Sequence, residues 1–434
     1  MEQVRSLYKS EIDFAALALQ SRDFAKHLRF DDQLDFHDEA AVRQLTISLL
    51  EHDFSLRVDL PKNRLCPPVP NRLNYIIWIQ DLLDTSTAGV RDGYDPDREV
   101  VGLDVGTGCC SIYPLLGCKV RRRWRFIATD IDEQNLQTAR ANVSRNGLDS
   151  RIKIIKSTAD APLFALDTFE QDTLDFTMCN PPFYASEQDM LSSAESKSYV
   201  PFSACTGAAV EMIVAGGEVA FVTRMIEESR QLRHRVQWYS SMLGKLSSVT
   251  TLVELLIKYD NNNYAVTEFV QGSKTKRWAL AWSWEDRRPS MAVARNIPGF
   301  PKHLLPFPAD FTFTLPANTN IDGAISRMNA EFASLPWHWT WHKDLSAGVG
   351  FAPENVWSRQ ARRKMKLLAG QAQSGTLLAV PKVIALGVRV QLRLLPGEDR
   401  ESKEVQATIR WIQGTDSVIF ESFCGMAKRK IEGR

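Results

Sequence analysis

The chain is 434 residues long, 44% apolar and 24% charged, a balance that suits folded globular domains and disfavours disorder. Lys plus Arg number 53 and Asp plus Glu 52, so the net charge of +1 selects no polyanionic or polycationic partner. No long apolar run predicts a membrane span, and the polar, acidic start "MEQVRSLYKSEIDF" is not a secretory signal.

The length suggests two or three domains. Seven cysteines (Cys66, Cys109, Cys110, Cys118, Cys179, Cys205 and Cys424) form no CxxC pair. That pattern argues against a disulfide framework or zinc ribbon and fits a reducing compartment.

The first 95 residues read as helical. "DFAALALQSRDFAKHL" and "DEAAVRQLTISLLEHDF" carry apolar residues at helical spacing, with Asp38 as a candidate N-cap. "PNRLNYIIWIQDLL" starts on Pro70, a favourable first helical position. "TSTAGVRDGYDPD" reads as a loop.

Strands and helices alternate over residues 96–285. "EVVGLDVG", "WRFIATD", "RIKIIKS" and "TLDFTMC" predict four strands, with the helix "DEQNLQTARANVSRNG" between the second and third. "GGEVAFVTRM" reads as a fifth strand and "IEESRQLRHRVQW" as a helix. "YSSMLGK", the helix "SVTTLVELLIKY" and the strands "NYAVTEFVQG" and "KRWALAWSW" follow. Near-continuous apolar strands alternating with helices predict a mostly parallel α/β sheet covered on both faces, closed by an antiparallel pair.

Residues 286–308 are rich in Pro and read as a linker. Residues 309–430 predict a small α+β domain, with "VIALGVRVQLRLL", "VQATIRWIQ" and "DSVIFESFC" as strands. In "WHWTWH", alternation puts Trp337, Trp339 and Trp341 on one strand face and His338, Thr340 and His342 on the other. That reading displaces a metal site at His338 and His342. The last four residues, "IEGR", match a protease-cleavage tag and are set apart from the fold.

Three features carry chemistry. The first strand ends "LDVGTGCC", with Asp104, Gly106 and Gly108 in a glycine turn that lets backbone approach a ligand. The turn lacks a Walker lysine and the third glycine of a dinucleotide fingerprint, and alone it also occurs without a ligand. The second strand ends in Asp130, 26 residues after Asp104, where a carboxylate can accept from both hydroxyls of a ribose or cap the next helix. The fourth strand runs into "NPPF": Asn180, Pro181, Pro182 and Phe183. Two prolines stiffen the backbone and remove two donors. The Asn180 side-chain oxygen and the Pro181 carbonyl can orient the two N–H groups of a base amine, and Phe183 offers a stacking face for a flipped-out base. A sulfonium methyl group is a suitable electrophile, and catalysis then consists mainly of positioning.

The chain resembles the methyltransferase-like 16 family over most of residues 8–284. The resemblance rests on "AVRQLTISLLEHDF", "RLNYIIWIQDL", "LDVGTGCCSIYPLLG", "MCNPPFYA", "AGGEVAFVTRMI", "WYSSMLGK" and "TEFVQG…RWALAWSW", in that order. It implies a Rossmann-like class I methyltransferase sheet with a helical N-terminal RNA-binding extension, in a fungal or other lower-eukaryote member. It implies S-adenosyl-L-methionine as cofactor and N6-methyladenosine formation in U6 small nuclear RNA. Related bacterial enzymes act on an adenine of 23S ribosomal RNA.

By this resemblance Arg72 holds the cofactor's carboxylate. Asp104, Gly106, Gly108, Cys110 and Asn180 line its pocket, and Asp130 holds its ribose. Cys110 stands where relatives often carry Ser, and Asp130 where they often carry Glu. Residues 184–206 lack the Arg-rich character of relatives and could gate the site. A nuclear location follows, with the cytoplasm as a second one. Neither a membrane nor a metal is expected.

RNA needs cations. "RRRWR", with Arg121, Arg122 and Arg123, "RQLRHR" (Arg230 to Arg235) and the group Lys274, Lys276 and Arg277 are candidates, together with Lys245. Arg5 and Lys9 lie in an arm that the family uses on RNA. "RQARRKMK" (Arg359 to Lys366) could add a basic face from the C-terminal domain. Two other readings compete. One keeps the motif but changes the amine to cytosine N4, ribosomal adenine or protein glutamine. The other is an RNA-binding assembly factor whose methyl transfer is secondary.

Overall fold

A computed structural model describes residues 2–190, 207–271, 275–316, 319–361, 363, 383–396 and 403–433. It divides into two compact units. One comprises residues 1–81, 95–285 and 295–305, and the other residues 82–94, 286–294 and 306–434.

The first unit opens with helices α1 (Glu2–Ser6), α2 (Phe14–Gln20), α3 (Arg22–Ala25), α4 (Glu39–Phe54) and α5 (Val69–Thr85), whose last turn passes into the second unit. The stretch read as one helical segment is broken at Ser21. Its backbone N–H closes α2 on Leu17, and its hydroxyl accepts from the Phe24 N–H at 3.3 Å to start α3. Asp38 caps α4 by accepting from the Ala40 N–H at 2.9 Å. The α/β part continues with β1 (Val100–Val105), α6 (Ile112–Val120), β2 (Trp124–Asp130), α7 (Glu133–Arg145), β3 (Ile152–Lys156) and β4 (Leu174–Cys179). It ends with α8 (Ala209–Met212), α9 (Gly217–Leu232), β5 (Val236–Leu243), α10 (Leu246–Lys258), β6 (Tyr264–Gln271), β7 (Thr275–Trp282) and β8 (Arg295–Asn296).

Among the described residues the strands form one sheet in the order β3-β2-β1-β4-β5-β7-β6-β8. The first five run parallel, and β7 and β6 then pair antiparallel. The chain therefore reverses its direction of winding between β1 and β4, the place where such sheets bind ligands.

One strand expectation is corrected. "GGEVAFVTRM" is the first half of α9. Its buried positions Glu218, Val222, Met225, Ile226 and Ser229 follow a helical period. The fifth parallel strand is instead β5, and "VQW" belongs to it.

One core joins Leu103, Val105 and Ile127 of the strands to Val222 and Met225 of α9 and Leu252 and Leu256 of α10. Elsewhere in the unit the rings of Trp124 and Phe126 meet Phe176 at 5.1 and 5.6 Å. Gly102 makes room for Phe176, since a Cβ there would stand 2.2 Å from its Cζ. Burying each such ring contributes roughly 1.5–3 kcal/mol. Residues 286–308, expected as a linker, send Ile297, Phe300 and Leu304 into this core, and β8 pairs with β6.

The second unit contains α11 (Met291–Ala294), β9 (Asp310–Thr314), α12 (Ile321–Ala333), β10 (His338–His342), β11 (Ala347–Ala352), β12 (Leu386–Pro396), β13 (Lys403–Gln413) and α13 (Ser417–Glu432). Its sheet is antiparallel in the order β10-β11-β12-β13-β9, and both α12 and α13 pack into its main core. "DSVIFESFC", expected as a strand, starts α13. Asp416 caps it, and Phe420, Phe423, Cys424 and Ala427 are buried at helical spacing. Ile431, set apart with the last four residues, is fully buried in the same core. Trp337, Trp339 and Trp341 pack against this core, as the alternation implies.

Residues 82–94 are strapped to the second unit's sheet. Ala88 and Val90 pack on Val349, Phe351 and Ile412. Asp92 pairs with Arg389 at 3.0 Å and also with Arg410. Among the described residues, no helix is long and apolar enough to cross a membrane and no cluster of metal-ligating side chains occurs.

Candidate active site

A cavity of about 440 Å³ opens at the carboxyl ends of β1, β2 and β4. The glycine turn forms one wall. Gly106 (φ 74°) and Gly108 (φ 65°) adopt the left-handed conformation, which costs glycine little. A Cβ on Gly106 would meet nothing within 4 Å, so the turn faces open space. The turn is anchored to β2, because Gly106 N–H and Thr107 N–H both donate to the Thr129 carbonyl, at 2.9 and 2.8 Å.

Asp130 closes the second wall. Its Oδ2 accepts from the Gly108 N–H at 2.8 Å and its Oδ1 from the Asp132 N–H at 2.9 Å. Burial raises its pKa, and these two backbone donors and the Asn135 amide work against that rise. A carboxylate has about four acceptor positions, so capacity for further donors remains. Asn135 also lines the cavity, and its buried Oδ1 has no hydrogen-bond partner.

The NPPF turn supplies the third wall through Asn180 and Pro182. In register, Val105 at the end of β1 pairs with Cys179 at the end of β4, which sets the glycine turn and the proline turn side by side. The turn then runs into Tyr184, whose N–H donates to the Met212 carbonyl and whose carbonyl accepts from the Val214 N–H, both at 3.0 Å. Phe183 does not line the cavity. Its half-buried ring lies 5.7 Å from the Arg277 guanidinium carbon.

Arg72, on α5, reaches across the site. Its Nη1 donates to Asn180 Oδ1 at 3.1 Å and to Tyr113 Oη at 3.0 Å, with Met242 Sδ also at 3.0 Å. Arg72 is buried and lines the cavity.

Asp104 departs from expectation. It is fully buried and is not part of the cavity wall. Burial pushes its pKa up to about 7. Thr107 and Arg72 oppose the rise, and Asp130 adds to it. Cys110 does line the cavity, and burial raises its thiol well above the ordinary range.

Sequence reasoning missed Glu211, Arg224 and Glu218. Glu211 lines the cavity, and its Oε2 accepts from Leu65 N–H and Ala208 N–H, both at 2.9 Å. Arg224 lines it from α9 and donates to the carbonyls of Ala159 at 2.9 Å and Ala161 at 2.6 Å. Reading residues 216–225 as a strand hides both Arg224 and Glu218, which lie on α9. The double glycine at Gly216 and Gly217, both at positive φ, was the available helix-start signal.

The expected RNA cations divide. Arg121 is corrected: it is buried, donates to the Asp95 carbonyl at 3.1 Å and covers Trp124, so it presents no charge to a phosphate. Arg122 pairs with Asp97, and Arg123 with Glu99 at 3.7 Å. Arg5 donates to Asp81 at 2.8 Å, and Lys276 pairs with Glu268 at 3.1 Å. Lys9 and Lys245 are exposed. Arg277 faces Phe183, and burial lowers its pKa with help from Arg72, while Tyr184 and Glu218 oppose the shift. Lys274, residues 191–206 of the expected gate, and residues 362 and 364–366 of the basic stretch lie outside the described residues.

A family model described as RNA methyltransferase matches residues 3–286. The U6 small nuclear RNA (adenine-(43)-N(6))-methyltransferase of Schizosaccharomyces pombe is 35% identical over 402 residues, which cover 92% of this chain and 95% of that protein. RNA N(6)-adenosine-methyltransferase METTL16 of Mus musculus is 41% identical over 292 residues, or 65% of this chain and 51% of that protein. The human METTL16 catalytic domain in complex with MAT2A 3′UTR hairpin 1 superposes with a TM-score of 0.57 at 39% identity, covering 65% of this chain and 95% of that one. The N-terminal domain of human METTL16 in complex with SAH gives a TM-score of 0.54 at 38% identity, covering 65% of this chain and 97% of that one.

Proposed function

From the premise that this chain belongs to the RNA methyltransferase family, we propose that it methylates N6 of an adenosine in U6 small nuclear RNA. It is an S-adenosyl-L-methionine-dependent RNA adenine-N6 methyltransferase. One observation carries the reading at the level of chemistry: the glycine turn, Asp130 and the Asn180–Pro182 bend wall a single cavity. The fit to an adenosyl cofactor is supported by the open space over Gly106 and by the unpartnered Asn135 Oδ1. Asp130 and the glycine turn hold its nucleoside end, with Cys110 and Arg72 beside them. When bound, the cofactor supplies an electrophilic methyl group.

The rest is done by this chain's own side chains. An adenine amine is a weak nucleophile because its lone pair is delocalised into the ring. Asn180 Oδ1 and the Pro181 carbonyl accept its two N–H groups and leave the lone pair directed at the electrophile. Phe183 stacks the flipped base. Because the amine becomes acidic only as the new N–C bond forms, no strong base is required before attack. Lys9, Lys245 and Arg277 are the cations best placed to meet RNA. Nuclear action is part of the same proposal.

Asn180→Ala tests it. Methyl incorporation into a U6 small nuclear RNA transcript should collapse while RNA affinity changes little. Full turnover in that variant would refute the role given to Asn180.

A further inference from the structure

The mechanism leaves Glu218, a buried acid in the first turn of α9, without a role. We infer that Glu218 is a positioning residue whose carboxylate, acting through the Gly244–Lys245 turn, fixes the plane of the Phe183 ring. The inference rests on the reading that Phe183 stacks the target base.

Glu218 sits in the first turn of α9 and is 3% exposed. A carboxylate is costly to bury unless hydrogen-bonded. Its Oε2 accepts from the Gly244 N–H at 2.6 Å and its Oε1 from the Lys245 N–H at 3.1 Å. The positive end of α9 adds a favourable field. Among the described residues it makes no ion pair, and it does not line the cavity, so it acts through its neighbours.

The turn it holds follows β5 and abuts Phe183. A Cβ on Gly244 would stand 3.0 Å from Phe183 Cδ1, 3.4 Å from its Cε1 and 3.2 Å from Glu218 Oε2. A Cβ on Gly217 would stand 3.3 Å from the Phe183 carbonyl oxygen. The ring and backbone of Phe183 are therefore each flush against a glycine, and Glu218 adjoins one of them and bonds the other. With Tyr184 pinned to Met212 and Val214, the ring cannot tilt toward Gly244 without disturbing the turn that the carboxylate holds. A misplaced stacking face reduces turnover more than binding.

The test uses the full chain and a U6 small nuclear RNA hairpin. Glu218→Gln keeps the shape but replaces one acceptor oxygen with a donor. Gly244→Ala pushes on both the ring and the Glu218 carboxylate oxygen without removing either group, so it carries the test if the first variant does not fold. Each should lower kcat tenfold or more, with KM for RNA and affinity for S-adenosylhomocysteine within twofold. With 2-aminopurine at the target position, the quenching that reports stacking should weaken in both. In a Phe183→Ala background, Glu218→Gln should cost nothing further.

Normal kcat and quenching in both folded variants, or an equal loss from Glu218→Gln with and without Phe183, overturns the inference. If Phe183→Ala alone keeps full activity, the stacking reading falls and this inference falls with it. If Phe183→Ala is inactive while both other variants are normal, only the positioning role is lost.

Discussion

Arg72 and Asn180, 108 positions apart, are joined by a hydrogen bond of 3.1 Å from Nη1 to Oδ1. The bond settles which end of the Asn180 amide is oxygen, because a guanidinium only donates. It also leaves one lone pair of that oxygen for an incoming amine. An arginine expected only to hold a cofactor carboxylate thus touches the residue proposed to orient the base.

That contact makes Arg72→Lys informative. Lysine keeps the charge but cannot reproduce a planar fork. We expect kcat to fall about 100-fold, the size of effect seen when a reacting geometry is misplaced by an ångström. Raising the cofactor to saturation should not restore it. Recovery at saturation would mean that Arg72 serves cofactor affinity alone.

Asp104 should make stability depend on pH. Its folded pKa, near 7, lies above the ordinary value of 3.8 because of burial. The folded state therefore holds the proton more tightly than the unfolded chain. The stabilisation is complete below pH 4, falls as pH rises through 7, and is gone above it. A rise of that size corresponds to about 4 kcal/mol between the two extremes. Asp104→Asn should flatten this part of the Tm-versus-pH curve and raise Tm at pH 8. An unchanged curve would show that the carboxyl is not the titrating group.

Asp92 should matter for stability in the second unit. Its single carboxylate pairs with both Arg389 and Arg410, which are 10% and 8% exposed in their side chains. Breaking one partner from a buried pair costs roughly 3–5 kcal/mol. Asp92→Ala should lower the denaturant midpoint accordingly, and a change under 1 kcal/mol in the fitted unfolding energy would contradict the arrangement.

Salt titrations of RNA affinity should separate the basic residues. Removing a cation that neutralises one phosphate lowers the log–log salt slope by about 1. Lys9→Ala and Lys245→Ala should each do so. Arg122→Ala and Arg123→Ala should leave the slope unchanged, because Asp97 and Glu99 already pair with those charges. Arg121→Ala should instead lower Tm, since that guanidinium covers Trp124 in the interior.

Much of the site was legible in one dimension because its parts are local. A glycine pair after an apolar strand, an acid at the end of the next strand and Asn-Pro-Pro-Phe after the fourth each state their backbone needs within a few residues. Strand alternation and a helix cap such as Asp38 are local as well. The misreadings came where a short apolar run suits either period. Residues 217–226 and 417–424 are helices because glycine or an aspartate cap starts them and a core takes every third or fourth side chain.

Pairwise neutralisation could not be read along the chain. Nothing next to Arg121 in sequence says that it donates to the Asp95 carbonyl, 26 positions earlier, and nothing next to Asp92 names two arginines some 300 positions away. The amino-acid order alone determined the alternating architecture and the chemistry of the turns, because φ, ψ and hydrophobic period are properties of neighbouring residues. Only the tertiary structure decided which charges remain available, which acid is buried behind the cavity and which glycines seat Phe183. Those outcomes depend on distances between segments that the chain itself keeps far apart.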